Sequence, residues 1–389
     1  MESSSEPSSS MTSSHLYNYW DLYFGTLFSV LAFISHLASN QDTATLFAAL
    51  AIGSFSVTVA EIAEILAERL SEPYGSFVLT FSAVIVEILL LYMIVLEATH
   101  SVEALETVKG GIISAVLVDM NVLLGLAVFV GGLSFKAQEH NENTSSSYTT
   151  ILLVTTAILL VPSILKSTKH DAEDILLASH LIGALLFIFY FFILVFQTKT
   201  HIHFFKATAR SRILRFKKRH SEEGEEHHND HNDEYIYDKF STFQNFLALF
   251  IIIFIIGMLA EVFASDGISV MDNYGFSAGL AGIVIAAVAV APEIFTAIKA
   301  AKNDQMQRVV NIAMGASTVS ILLTVPILLV LSIASGIKLT LDFNSLQIGA
   351  LMLTIILAWK TTQDGETNYL EGISHLVFFA AYAIIAGFY

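Results

Sequence analysis

The chain has 389 residues, of which 54% are hydrophobic and 14% are charged, and its formal net charge is −16 at pH 7. A soluble domain usually contains about 25% charged residues, so this composition excludes a water-soluble globular enzyme and a disordered protein. There is no cysteine, which excludes disulfides, cysteine-ligated zinc or iron–sulfur sites and thiol catalysis.

The apolar residues form blocks that are long enough to cross a membrane as helices, each of which needs about 20 mostly apolar residues. We predict eleven such segments, at residues 20–38, 43–65, 76–96, 110–133, 149–165, 175–196, 246–263, 276–298, 309–332, 346–358 and 373–387. The sequence therefore predicts an all-α, multi-pass integral membrane protein with about eleven transmembrane helices. Residues 1–19 are a polar tail without basic residues, so we expect no cleaved signal peptide.

The lysine and arginine residues indicate how these segments are oriented. The connections after segments 2, 4, 6, 8 and 10 contain 15 of the 19 basic residues, and the opposite connections contain only Lys109, Lys166, Lys169 and Lys338. Basic loops stay in the cytoplasm, so we predict a cytoplasmic N-terminus. In a bacterium the host membrane would be the cell (inner) membrane.

One long polar stretch, residues 199–243, joins segments 6 and 7. It begins with a basic run and continues as HSEEGEEHHNDHNDEYIYD, which has eight acidic residues and four histidines. Low hydrophobicity and high charge predict a flexible cytoplasmic tether. His227, His228 and His231 leave a cation-sensing role open, although no HExxH or EF-hand spacing is present.

An internal repeat relates two sets of five segments. AEI at 60–62 is matched by AEV at 260–262, EPYG at 72–75 by DNYG at 272–275, and AVIVE ending at Glu87 by AVAPE ending at Glu293. Because five is odd, the two sets must insert in opposite orientations. We predict a leading helix (20–42), a first repeat (43–198), the linker (199–243) and a second repeat (244–389). Inverted repeats are typical of secondary transporters, with the site near the midplane between the halves.

Glu87 and Glu293 lie inside segments 3 and 8 at these equivalent positions. An ionised carboxylate at the bilayer centre costs about 2.5–3.5 kcal/mol on insertion scales, so it normally faces a partner or a water-filled cavity. We predict that the two glutamates bind a metal cation and protons in turn, because mutually exclusive binding of the two is the simplest physical basis of antiport. Protonated glutamates that only join helices by hydrogen bonds are the structural alternative.

Pro292 directly precedes Glu293. Proline inside a helix removes a donor and frees the carbonyl of residue i−4, here Val288, so we predict a helix break at the site. Carbonyl and carboxylate oxygens suit a hard cation such as Ca²⁺, which takes 6–8 oxygen ligands. An ordinary packing kink is the alternative.

Other polar side chains are candidates to complete the oxygen shell. They are Ser82 on segment 3, Asn121 on segment 4, and Asn311, Ser317 and Ser320 on segment 9. Packing and bonding within their own helices are the alternative roles. Asp119 also lies mid-span, with Asn121 as its nearby polar neighbour.

An acidic helix face ends segment 2. Glu61, Glu64 and Glu68 follow at steps of three and four, and Glu72 comes shortly after. Such a face can attract cations toward a site, and we predict that it forms the cation entry. A solvated helix end is the alternative.

These residues resemble the Ca²⁺/cation antiporter superfamily, most closely its bacterial ChaA-type branch. The carrying segments are LSEPYGSFVLTFSAVIVE at 70–87 and APEIFTAIKAAKNDQMQRVVNIAMGAS at 291–317, continued by TVSILLTVP to Pro326. QTKTH at 197–201 and HLVFFAAY at 375–382 are also similar to that branch.

The resemblance implies one leading helix and two inverted five-helix halves. It implies that Glu87 and Glu293 are the paired glutamates that exchange Ca²⁺ for H⁺, and that Gly315 and Ser320 lie in the small-polar stretch of the second repeat. It also makes Na⁺ and K⁺ candidate substrates. Ile85-Val86 and Ala291-Pro292 stand where the exchangers usually have Gly-Asn before the glutamate.

The sequence thus predicts a Ca²⁺/H⁺ antiporter that works by alternating access, with no cofactor beyond the transported ions. The sequence contains no nucleophile–base pair or metal-ligand arrangement of the kind that an enzyme needs. The expected partners are the cation, the proton and the lipid bilayer, not nucleic acid, and a homo-oligomer is left open. The alternative is a passive cation channel that uses the intramembrane glutamates as its selectivity site.

Overall fold

The computed structural model describes residues 19–70, 74–99, 103–205 and 236–388. Within these ranges it has eleven long helices and one pair of two-residue antiparallel strands, β1 (Gln138–Glu139) and β2 (Glu366–Thr367). The helices are α1 (Trp20–Leu37), α2 (Gln41–Arg69), α3 (Tyr74–Glu97), α4 (Glu103–Ser134), α5 (Glu142–Ser167), α6 (Ala172–Thr200), α7 (Thr242–Asn273), α8 (Ala278–Lys302), α9 (Met306–Ala334), α10 (Ser345–Thr362) and α11 (Tyr369–Ala386). The predicted all-α fold with a leading helix and two five-helix sets is confirmed.

Ten of these helices have the length and hydropathy of membrane spans. The remaining one, α3, has 24 residues, or about 36 Å at 1.5 Å per residue, which is also enough to cross the bilayer core. Several helices continue beyond their apolar segments: α2 reaches Arg69, and the predicted 13-residue tenth segment is an 18-residue helix. Hydropathy cannot locate such ends, because a helix continues past the lipid through polar residues.

Local capping fixes where three helices of the second set begin. Ser241 with Gln244, Asn344 with Gln347 and Asn368 with Glu371 each form a capping box at the start of α7, α10 and α11. In this motif the two side chains bond each other's backbone N–H groups, which would otherwise be unpaired at a helix start.

The helix packing follows an approximate two-fold relation between α2–α6 and α7–α11. α2 packs on α7, α3 on α8, α4 on α9 and α5 on α10, and the contact of α4 with α11 is matched by that of α9 with α6. α1 packs outside this arrangement, on α2 and α7. Its outward side chains, such as Leu27 and Ile34, are more than half exposed, as expected for a face in contact with lipid.

The connections show that the two sets are inverted. β1, between α4 and α5, pairs with β2, between α10 and α11, and Gln138 donates to the carbonyl of Ala301 near the α8–α9 connection at 2.9 Å. These connections therefore share one face, which we call the strand face. The α9–α10 connection, which is the repeat counterpart of α4–α5, lies at the other end of α10, on the far face.

Small residues allow α4 to lie close to α8 and α11. A side chain at Gly282 on α8 would place its Cβ 2.4 Å from the backbone carbon of Gly110. One at Gly372 on α11 would lie 2.3 Å from the backbone nitrogen of Phe129. Only glycine fits at these two crossings, because the backbones of the two helices are in direct contact there.

A buried ion cluster closes the far face. Asp342, in the α9–α10 connection, binds Lys109 Nζ at 2.8 Å and Lys166 Nζ at 2.5 Å, and Lys109 also pairs with Glu106 at 2.8 Å. Asp342 and Lys109 are 7% and 4% exposed. Burial alone would raise the pKa of Asp342, but hydrogen bonds from Lys109, Lys166 and Thr340 lower it to about 2. The cluster joins the first helix set to the second.

The two described ends of the 199–243 linker are ordered. After α6, residues Ile202–Phe205 form a 3₁₀ turn. Before α7, the turn Ile236–Lys239 buries Tyr237 and accepts a hydrogen bond from Arg69 at 2.6 Å through the carbonyl of Asp238. The basic run and the histidines of the linker lie outside the described residues, so the flexible tether and its sensor role stay predictions.

Replacing Asp342 by asparagine should lower the free energy of unfolding by about 3 kcal/mol, because it leaves the buried Lys109 ammonium without its buried carboxylate. Denaturant or thermal unfolding of the purified protein in detergent measures this change. Lys166→Met is the matched control: the Lys166 side chain is 58% exposed, so its loss should cost less than about 1 kcal/mol. Equal losses for the two variants would contradict the assignment.

The lowered pKa sets the pH range of the effect. A carboxyl whose pKa falls from 3.8 to about 2 on folding contributes its full stabilisation above about pH 4 and loses it as the pH falls toward 2. The stability difference between the wild type and Asp342→Asn should therefore be constant near neutral pH and shrink below about pH 4.

Candidate cation site

A cavity of about 830 Å³ reaches from the strand face to the middle of the membrane-spanning region. Its mouth includes Glu64 near the end of α2, Lys299 near the end of α8 and Arg308 near the start of α9. At its inner end lie four residues that the sequence placed mid-span: Glu87, Asp119, Glu293 and Ser320. The cavity thus connects the intramembrane acids to one face of the protein.

Glu87 on α3 is 8% exposed and is bonded by two hydroxyls of α9. Ser320 Oγ donates to Glu87 Oε2 at 2.7 Å, and Thr324 Oγ1 donates to the same oxygen at 3.2 Å. Glu87 Oε1 is buried without a hydrogen-bond partner among the described residues. The second oxygen remains available for a cation or a proton.

Glu293 on α8 is partly exposed to the cavity and receives no hydrogen bond from any described residue. It is near enough to Glu87 for the two carboxylates to interact electrostatically. The predicted helix break at Pro292 is wrong: α8 runs without interruption from Ala278 to Lys302 through Pro292. The chain continues as helix because proline removes only one backbone donor. Thr296 Oγ1 donates to the carbonyl of Pro292 at 3.0 Å.

Irregular backbone occurs instead in α4 and α9, which are equivalent helices of the two sets. Each contains a π-helical stretch, Val118–Leu123 in α4 and Ser320–Thr324 in α9. Such insertions widen the helix by one residue per turn and are frequent at functional sites. The stretch in α9 carries both hydroxyls that bond Glu87, and the stretch in α4 carries Asp119.

Asp119 is 1% exposed and lines the cavity. Ser317 Oγ donates to Asp119 Oδ2 at 3.1 Å, and Asp119 Oδ1 has no hydrogen-bond partner among the described residues. Ser317 itself is fully buried and lies behind Asp119 rather than in the cavity lining.

The other predicted ligands lie in different surroundings. Ser82 lines the cavity on α3. Asn311 also lines it, but its Nδ2 donates to the carbonyl of Phe205 at 2.9 Å and its Oδ1 accepts from Gln307 at 3.0 Å. Asn121 is not in the cavity lining; it is fully buried and bonded to Thr354 and His375 at 2.9 and 3.0 Å. Asn121 therefore joins α4 to α10 and α11.

The predicted cation entry is only partly described. Glu61 and Glu64 line the cavity toward its mouth. Glu64 forms an ion pair with Arg308 at 2.8 Å, with both side chains about half exposed, so it links α2 of the first set to α9 of the second. The side chain of Glu68 and all of Glu72 lie outside the described residues.

The charge balance at the inner end is strongly negative. Glu87, Glu293 and Asp119 lie there, whereas the basic residues of the lining, Lys299 and Arg308, are at the mouth. In the described part of the chain no three acidic or histidine side chains are grouped closely enough to hold a metal ion alone. A cation here would bind two carboxylates together with hydroxyls, backbone oxygens or water.

Sequence reasoning missed two features of this site. Thr324 bonds Glu87, and its position four residues after Ser320 on the same helix face was the available signal. Asp119 was noticed mid-span, but Ser317 is 198 residues away in sequence, and their contact depends on the packing of α4 on α9.

Comparison with known proteins gives one family match. The profile described as sodium/calcium exchanger protein matches residues 43–199 and 245–388, so each five-helix set is matched once.

Several characterised relatives are similar along most of the chain. The sodium-potassium/proton antiporter ChaA of Escherichia coli (strain K12) is 28% identical over 342 residues and covers 87% of each chain. The Ca(2+)/H(+) antiporter of Synechocystis is 23% identical over 364 residues, covering 92% of this chain and 94% of that protein. The Ca(2+)/H(+) antiporter ChaA of Bacillus subtilis is 26% identical and covers 72% and 75%.

Two solved structures have the same fold. Native YfkE aligns with a TM-score of 0.76 at 19% identity, covering 95% of this chain and 100% of that one. The H⁺/Ca²⁺ exchanger CAX aligns with a TM-score of 0.65 at 16% identity, covering 95% and 92%.

Because the chain has no cysteine, single cysteines can test the cavity. Ala316→Cys should react with a membrane-impermeant thiol reagent applied from the strand face and not from the far face, because Ala316 lines the cavity. Ala313→Cys, on the same helix but fully buried outside the lining, is the matched control and should react from neither face. Labelling of both, or labelling of Ala316→Cys from the far face, would contradict the cavity.

Proposed function

The chain belongs to the sodium/calcium exchanger protein family, and we propose that it is a secondary active antiporter that exchanges Ca²⁺ for protons across a membrane. The observation that carries this proposal is the pair Glu87 and Glu293, which come from equivalent helices of inverted sets and lie at the inner end of one cavity. Transporters of inverted-repeat architecture place their ion site at this position.

The proposed exchange rests on competition for the two carboxylates. Removing an ionised carboxylate from water is costly unless a counter-charge is present. With Ca²⁺ absent, protons neutralise Glu87 and Glu293; with Ca²⁺ present, its two charges replace two protons. Ser320 and Thr324 hold Glu87 in place for either occupant. Because the carboxylates are unstable without Ca²⁺ or protons, the site changes the face to which it opens only when one of the two is bound.

Alternating access needs the cavity to close at one face when it opens at the other. In this conformation the mouth is at the strand face, and the far face is closed by the Asp342 cluster and by the close crossing of α4 on α8 at Gly282. We propose that the return step breaks the Asp342 contacts, while the two helix sets close at the Glu64–Arg308 pair. We propose that α4 and α9 change their backbone conformation at their π-helical stretches during this step.

Ca²⁺ is the proposed main substrate, with Na⁺ and K⁺ as further candidates. The site offers hard oxygen ligands, and two carboxylates match a divalent charge. Relatives named as Ca(2+)/H(+) antiporters and one named as a sodium-potassium/proton antiporter are similar over most of the chain. The passive channel proposed as an alternative from the sequence has no support: the relatives described above are antiporters, and the cavity is closed at the far face.

We propose that the strand face is cytoplasmic and that the N-terminus lies on the same side. The connections on this face carry 15 of the 19 basic residues, and basic loops remain in the cytoplasm. The cavity would then load Ca²⁺ from the cytoplasm, for export. In a bacterium the membrane would be the cell (inner) membrane.

Glu293→Gln should reduce Ca²⁺ uptake into proteoliposomes under an imposed pH gradient to the rate of protein-free liposomes, because glutamine can neither neutralise Ca²⁺ nor carry the exchanged proton. A Ca²⁺-sensitive dye inside the vesicles measures the uptake, and a pH-sensitive dye measures the coupled proton movement. Glu366→Gln is the control, since Glu366 lies in β2 at the surface, and it should transport like the wild type. Uptake in Glu293→Gln at the wild-type rate would exclude the proposed site.

A further inference from the structure

A network of four polar side chains lies behind the cavity, between α4, α10 and α11. Its members are at most 1% exposed and are absent from the cavity lining: Asn121, Thr354, Thr361 and His375. Asn121 belongs to the first helix set, and its partners Thr354 and His375 belong to the second. The network therefore joins the two sets in the membrane interior without taking part in the proposed binding of Ca²⁺ and protons.

The partners of Asn121 fix the orientation of its amide and the tautomer of His375. Asn121 Nδ2 donates to the carbonyl of Leu117 at 3.0 Å and to Thr354 Oγ1 at 2.9 Å, so Oδ1 is the acceptor of this amide. Oδ1 lies 3.0 Å from His375 Nδ1, which therefore carries a proton. In the neutral ring Nε2 is an acceptor, and Thr361 Oγ1 donates to it at 3.0 Å.

The amide of Asn121 supports the irregular backbone of α4. Asn121 lies inside the π-helical stretch Val118–Leu123, and Leu117 directly precedes that stretch. In a regular α-helix the carbonyl of residue 117 accepts the backbone N–H of residue 121, whereas here the side chain of residue 121 donates to it. At the end of the stretch, Leu124 N–H donates to the carbonyl five residues earlier, which is π-helical pairing. Asn121 thus stabilises the change from one pairing to the other.

The π-helical stretches of α4 and α9 are held in different ways. Two hydroxyls from the stretch in α9 bond Glu87, a proposed Ca²⁺ ligand. The stretch in α4 is bonded through Asn121 to side chains outside the cavity. There α11 lies directly on α4: a side chain at Gly125 would place its Cβ 2.9 Å from His375 Cβ. The conformation of the α4 stretch therefore depends on a fixed contact with α11 and not on the occupant of the site.

We infer that His375 is a positioning residue for the exchange: its Nδ1–H orients Asn121, and Asn121 holds the π-helical stretch of α4 in the shape that forms one wall of the Ca²⁺ cavity. This rests on the proposed function. The stretch reaches the cavity through Asp119, two residues before Asn121. A group that holds this wall in shape acts on the affinity for Ca²⁺ more than on the rate of the return step.

Two substitutions of His375 separate its two hydrogen bonds. The side-chain nitrogen of asparagine can take the position of Nδ1, and that of glutamine the position of Nε2. His375→Asn keeps a donor for Asn121 and should keep the wild-type KM for Ca²⁺. His375→Gln loses this donor and should raise the KM about tenfold, since residues that orient a metal site typically change its affinity by this order. Its maximal rate should change less than its KM. Ca²⁺ uptake into proteoliposomes under a pH gradient measures both parameters.

Thr361→Val is the matched control on the other side of the ring. It removes only the bond to Nε2 and should keep the wild-type KM. Asn121→Ala should raise the KM as much as His375→Gln does. Adding His375→Gln to Asn121→Ala should change the KM no further, because the two residues act through one hydrogen bond.

Equal KM values in His375→Asn and His375→Gln would overturn the inference, and so would additive effects in the double variant. The KM does not depend on the amount of folded protein, so a variant that only folds poorly lowers the maximal rate at an unchanged KM. That result for His375→Gln would also overturn the inference. Wild-type vesicles without Ca²⁺-coupled proton flux would instead contradict the proposed function itself.

Discussion

Carboxylates that lie inside a membrane without a fixed counter-charge are the constraint on which the rest of this structure depends. Each one costs about 2.5–3.5 kcal/mol on insertion scales when it is ionised, and three of them, Glu87, Glu293 and Asp119, line the inner end of one cavity. The basic side chains of that lining are at the mouth, and we therefore propose that the acids take up protons or a metal cation. On this proposal the two occupants exclude each other, which is what an exchanger requires.

The inverted helix sets provide the frame in which those acids meet. Each set contributes one glutamate on its second helix and one π-helical stretch on its third, so the site has nearly the same construction from either side of the membrane. What breaks the symmetry is the closure: an exposed ion pair, Glu64 with Arg308, spans the open mouth, whereas a buried cluster around Asp342 holds the far face. The buried Asp342 cluster and the exposed Glu64–Arg308 pair differ in strength by several kcal/mol at most. Binding of a cation or of protons can supply a free energy of this size and so shift the protein between its two conformations.

The sequence predicted the helices, the two sets and the two glutamates, because apolar length, an odd number of spans and mid-span acids are properties of single segments. It could not predict contacts that depend on how distant segments pack. Asn121 looked like a ligand, yet its partners Thr354 and His375 come from α10 and α11 and hold it away from the cavity. Pro292 looked like a helix break, but α8 continues through it, and the irregular backbone that lines the cavity lies in π-helical stretches of α4 and α9 with no proline inside them. Whether Asp119 faces a cavity or a helix contact is likewise decided by packing.

The central claim is that Ca²⁺ and protons compete for the same carboxylates, and equilibrium binding of Ca²⁺ to the purified protein over a pH series tests it most directly. No gradient, orientation or transport rate enters this measurement. The account predicts that the apparent Kd for Ca²⁺ rises by about a hundredfold for each unit by which the pH is lowered, in the range where Glu87 and Glu293 are both protonated, since each of the two displaced protons adds one factor of ten. A Kd that stays constant while the pH changes would contradict the account.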